Sequence, residues 1–138
     1  MSDEEYEKQQ QKEIGWFHKV CALNEKLFDY LCKELKEQKP IKTYILSYYQ
    51  HVRRSTLGCV NIKLNAITKY NTSICLQSMM YDTDTPFRLS LWKYNGEHTF
   101  KNYDFKDVNE KDFPVYLEHI IEFFELKPKS GYVQLTLF

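Results

Sequence analysis

Few side chains in this sequence have the types and spacing that chemistry needs. His18 and Cys21 stand one helical turn apart and supply half of a metal site, but no second pair at ligand spacing accompanies them, so no metal is expected. Glu118, His119 and Glu122 share one segment, "EHIIE", which lacks the two-histidine-plus-glutamate arrangement of a zinc hydrolase. Asp82 and Asp84 form an acidic pair within "YDTDTP", where aspartates serve a turn by bonding nearby backbone. Four glycines in 138 residues leave no phosphate-cradling loop, and no nucleophile elbow is present. The expectation is a protein that is not an enzyme and carries no cofactor.

A second constellation is basic and aromatic. "SYYQHVRR" carries Tyr48, Tyr49, His51, Arg53 and Arg54; further on come Lys63, Lys69, Arg88, Trp92, Lys93 and Tyr94. Rings on a positive sheet face would stack the bases of single-stranded nucleic acid, which makes Arg53, Arg54, Lys63, Arg88, Trp92, Lys93 and Tyr94 the candidate contacts. Against it, the rings can pack beneath a helix while the arginines sit solvated in turns, and no RNA-binding motif is present. Charge is uneven along the chain. Residues 1–40 hold seven Lys/Arg and nine Asp/Glu, residues 41–103 eight and three, and residues 104–138 four and seven. The basic middle is either a positive face or balances its acidic neighbours.

The elements that must position these groups follow from periodicity. Trp16, Phe17, Val20, Leu23, Leu27, Tyr30, Leu31 and Leu35 recur at steps of three and four, predicting one or two helices over 3–38, with Ser2 or Asp3 as cap and Gly15 as a potential break. From Lys42 the period changes to two. "TYILSYYQHV", "CVNIKLNAIT", "TSICLQSMMY", "FRLSLWKYN" and "HTFKNYDF" read as strands with short turns, "NGE" at 95–97 being a hairpin signal. "DFPVYLEHIIEFFELK" is helical again, with Asp112 as cap and Pro114 in the first turn. The fold class expected is α+β: an N-terminal helix, an antiparallel meander of 4–5 strands and a C-terminal helix, in two layers. Residues 1–130 form the single domain and 131–138 a C-terminal peptide or edge strand.

Composition agrees. Aromatic residues make up 16% of the chain, enough for a real core, while mean hydropathy of −0.58 and the lack of a long apolar run exclude a membrane span. The acidic start "MSDEEYEKQQQKE" is unlike a secretory signal, and Cys21, Cys32, Cys59 and Cys75 form no CxxC pair. A cytoplasmic protein with four buried free thiols is expected.

The last five residues, Gln134, Leu135, Thr136, Leu137 and Phe138, spell "QLTLF". This resembles the pentapeptide, usually Gln-Leu-Ser/Asp-Leu-Phe, with which many bacterial replication and repair proteins bind the sliding clamp (the polymerase β subunit). Thr136 replaces the Ser or Asp. The resemblance implies that Leu137 and Phe138 fill an apolar pocket on the clamp, Gln134 hydrogen-bonds at its rim and Leu135 adds apolar contact. It implies a bacterial, phage or plasmid setting, a role in DNA replication or repair, and DNA as a further partner. The same residues alternate Val133, Leu135 and Leu137 against Tyr132, Gln134, Thr136 and Phe138, so a terminal strand is the competing reading.

Overall fold

The computed structural model describes residues 2–48, 56–78 and 84–126. Helix α1 spans Asp3–Glu34 without interruption, so Gly15 is absorbed rather than breaking it. Ser2 is its N-cap, accepting the Glu5 amide on Oγ, and Asp3, Glu4 and Glu5 complement the positive end of the helix. After a short 3-10 turn at Lys36–Gln38, Lys39 takes a left-handed conformation (φ 50°) that turns the chain into the sheet.

Among the described residues five strands follow as a meander: β1 Pro40–Tyr48, β2 Thr56–Leu64, β3 Asn71–Ser78, β4 Phe87–Tyr94 and β5 His98–Phe105, in spatial order 1-2-3-4-5 and all antiparallel. The β4–β5 hairpin closes through Asn95, Gly96 and Glu97, and Gly96 adopts φ 97°, a conformation that disfavours any side chain. Helix α2 spans Phe113–Phe124. Asp112 stands at its N-cap without a side-chain bond, Pro114 occupies the first turn, and Glu125 ends it in the left-handed conformation.

Both helices lie on one face of the sheet. Phe17, Val20, Leu23, Leu27, Leu31 and Leu35 of α1 and Phe113, Tyr116, Leu117, Ile120 and Phe124 of α2 close over Ile62, Leu64, Ile74, Leu76, Leu89 and Leu91. Each such fully buried side chain contributes about 1.5–3 kcal/mol relative to exposure, and together they set which sheet face is covered. This is the two-layer α+β fold expected from the pattern. Of the thiols, Cys75 is buried, Cys21 and Cys32 are half-buried, and the Cys59 side chain lies outside the described residues.

One seam departs from a regular meander. β3 and β4 are paired at eight positions, from Asn71–Tyr94 to Ser78–Phe87, whereas β2 and β3 share only Ile62–Ile74. Side chains bond the backbone around that single position. Asn24, fully buried on α1, accepts the Leu76 amide on Oδ1 (2.8 Å) and donates Nδ2 to the Leu76 carbonyl (2.9 Å). Thr72 Oγ1 accepts the Leu64 amide at 2.8 Å, and the Cys75 thiol lies 3.6 Å from the Val60 carbonyl.

Candidate interaction face

The pleat decides what the other face of the sheet carries. Residues paired across strands point the same way, so Leu89, Leu91 and Lys93 face the helices and Arg88, Ser90, Trp92 and Tyr94 face away. Three rows cross this outer face. The first runs Ile41, Lys63, Ser73, Trp92 and Phe100; the second Thr43, Asn61, Cys75, Ser90 and Asn102; the third ends in Gln77, Arg88 and Asp104. No helix among the described residues covers the first and third rows, whereas Asn61 and Cys75 of the second are buried and the Asn24 amide of α1 lies 3.7 Å from Cys75 Sγ.

The aromatic end is well ordered by contacts among its own members. Trp92 and Tyr94 hold their rings nearly parallel, 6° apart with centroids separated by 6.3 Å. His98 packs against both, at 5.7 Å and 4.6 Å, and its Nδ1 accepts the Trp92 indole N–H at 3.2 Å. Phe100, opposite Trp92 on β5, is 66% exposed. The polar centre is knit by the Ser73 hydroxyl donating to the Asn61 side chain, and at the far end Arg88 Nε donates to Asp104 at 2.7 Å.

The candidate nucleic-acid residues are divided by this geometry. Lys63, Arg88, Trp92 and Tyr94 share the outer face. Lys93 is on the helix side, where its ammonium donates to the Phe123 carbonyl at 3.0 Å and lies over the Phe123 ring. Two further cations of the basic middle also turn towards the helices: Lys42 reaches Glu25 at 2.8 Å, and Lys101 lies over Tyr103. Arg53 and Arg54 lie outside the described residues, as do Gln134, Leu135, Thr136, Leu137 and Phe138. Arg88, in the third row, is paired with Asp104, and among the described residues Lys63 is the cation of the aromatic row. The exposed part of the described outer face is therefore aromatic, with the Asn102 amide beside it, rather than strongly positive. Surfaces of this kind recognise partners through ring stacking and oriented hydrogen bonds.

Elsewhere the titratable groups serve structure. Asp107 accepts from Lys19, from its neighbour Val108's amide and from Asn109, and the Lys19 bond chiefly holds its carboxyl below the ordinary value. Burial pushes the Tyr70 phenol up, helped by Glu125, and pushes the Cys32 thiol up, helped by Asp29. The Tyr116 hydroxyl is buried without a hydrogen-bond partner among the described residues; burial raises it to about 12, opposed by the backbone of Asn109. His18 is exposed and edge-on to Phe17, and no cluster of three or more potential metal ligands occurs among the described residues.

Periodicity overlooked Asn24. The signal was its position, four residues after Val20 and three before Leu27, which places a polar group on the buried stripe. The class defined by fold and face is a small two-layer α+β protein with one sheet face uncovered by its helices. No protein-family model, curated protein or solved structure matches the chain. No helix among the described residues is long and apolar enough to cross a membrane.

Proposed function

We propose that this protein is a bacterial, phage or plasmid accessory factor that docks on the DNA sliding clamp through Gln134–Phe138, joining or modulating replication or repair. The observation that carries the reading is the identity of those five residues: two apolar anchors, Leu137 and Phe138, an apolar Leu135, and one oriented amide, Gln134, match the clamp-binding pentapeptide at four of five positions. A short extended segment needs just such anchors plus one polar group to be gripped specifically. The motif lies nine residues beyond the left-handed cap of α2 at Glu125, separate in sequence from Phe124, the last buried residue among those described. The body would then be what is tethered. The test is titration of the whole chain against a bacterial clamp ring by fluorescence anisotropy. Saturable binding lost in the Leu137→Ala/Phe138→Ala double variant supports the reading, and no binding at clamp concentrations of about 100 μM ends it.

A second reading, that the outer sheet face is an interaction or single-stranded nucleic-acid surface, is favoured by the exposed rings of Tyr94 and Phe100 beside the half-buried Trp92. For nucleic acid, affinity for a single-stranded oligonucleotide must fall on Trp92→Ala and decline with salt. Indifference to both would remove nucleic acid from consideration.

A further inference from the structure

β5 is an edge strand laddered to β4 at all eight positions from His98 to Phe105, with no strand on its other side among the described residues. Such an edge presents a row of backbone donors and acceptors ready to pair. Apolar groups border it in both layers. Five large apolar side chains are exposed among the described residues, and three of them, Tyr94, Phe100 and Val115, are here. Tyr94 and Phe100 lie on the outer face. Val115 is on α2, one turn before His119, whose ring stacks on Tyr103 of β5 at 3.7 Å and so fixes α2 over this edge.

We propose that the β5 edge pairs antiparallel with the β5 edge of a second copy of this chain, joining two five-stranded sheets across a two-fold axis. This inference does not rest on the clamp reading. Residues paired across strands must point to the same face, so the axis has to set some residue opposite its own twin. The strand centre falls between Lys101 and Asn102. Centring on Lys101 would oppose two ammonium groups, which is unfavourable. Centring on Asn102 pairs amide with amide and sets Lys101 opposite Tyr103 of the second copy, repeating the cation-over-ring contact Lys101 makes in its own chain. On the helix layer, Glu118 and Glu122 continue the exposed stripe of Val115. The two-fold brings this acidic stripe of one copy towards Lys101 of the other.

Size sets the strength. Eight residues at ~3.3 Å give an edge ~26 Å long, and a helix layered on a sheet is ~20 Å thick, so each copy buries roughly 500 Å². The total of about 1,000 Å² is at the floor for a stable interface, and the dimer should dissociate in the micromolar range or above.

Sedimentation velocity of the whole chain tests this. The mass should move from monomer towards dimer between ~1 and ~500 μM, and Phe100→Glu or Val115→Glu should each raise the midpoint at least about tenfold while leaving the circular dichroism unchanged. Asn102→Cys, at the axis, should form a disulfide-linked dimer under mild oxidation at concentrations where Ile41→Cys, on the other edge strand, does not. A monomer throughout that range would overturn the proposal. So would a dimer dissolved by Ile41→Glu but not by Phe100→Glu or Val115→Glu, or cross-linking through Ile41→Cys in preference to Asn102→Cys.

Discussion

The β2–β3 and β3–β4 seams join neighbouring strands of similar length, yet different chemistry holds them. Between β3 and β4 the backbone pairs with itself at eight positions. Between β2 and β3 one paired position, Ile62–Ile74, is supplemented by Asn24, Thr72 and Cys75. The burial pattern of β3 reflects this: Ile74, Cys75 and Leu76 are all buried in succession, where a regular strand would alternate. Obligatory backbone groups have to be satisfied, and where the ladder lapses a side chain from another layer can take its place. The difference teaches that α1 does more than cover the sheet. Through Asn24 it becomes part of the hydrogen bonding of β3.

The comparison can be broken by substitution. Asn24→Ala should have the largest effect, because it strands both the amide and the carbonyl of Leu76 in the core. A loss of about 2–4 kcal/mol in urea unfolding is expected, and native-state hydrogen exchange should show Leu76 exposed through local opening while the β4–β5 amides hold. A loss under about 1 kcal/mol would mean that the split seam does not need its plug. Thr72→Val removes the acceptor of the Leu64 amide without changing shape and should cost about 1–2 kcal/mol by the same assay.

On the fully laddered side the sign reverses. Tyr116, packed against Phe105 of β5, holds a hydroxyl buried without a partner among the described residues, so Tyr116→Phe should stabilise by about 1 kcal/mol in thermal unfolding at pH 7. Its phenol, raised to about 12 from an unfolded value near 10, adds a pH signature. The stability gained by keeping it neutral is fully present below pH ~10 and lost as pH rises towards ~12, because only the unfolded chain ionises readily there. The Phe variant should lose that alkaline component. The smallest effect belongs to the open face: Arg88→Ala removes a partly exposed pair with Asp104 and should cost under about 1 kcal/mol, less still in high salt.

Much of the fold was legible because periodicity reports burial directly. The alternation of Val60, Ile62 and Leu64, and the shared face of Leu89 and Leu91, mark strands with one apolar side. The steps from Phe17 to Leu35 do the same for α1. Legibility failed where a residue's partner is distant in sequence. Lys93 and Trp92 are adjacent, and composition alone grouped both with a basic platform. The pleat separates them, and α2, thirty residues on, supplies the Phe123 carbonyl that takes Lys93. Asp112 illustrates a smaller gap: its place at the start of α2 was readable, but whether its carboxylate bonds the backbone depends on a rotamer, and here it makes no such bond. The Asn24–Leu76 bonds span 52 residues and have no local signature beyond a polar residue on an apolar stripe.

Local propensity and hydrophobic period, which act over a few residues at a time, were enough for the order of elements, the α+β class, most of the buried stripe of α1 and the clamp-like pentapeptide. Tertiary packing alone made one seam of the sheet depend on side chains, divided the cations of the basic middle between two faces, and brought exposed Tyr94, Phe100 and Val115 to the same side of the molecule. Those outcomes depend on register and layer packing, which bring together residues that no local pattern connects.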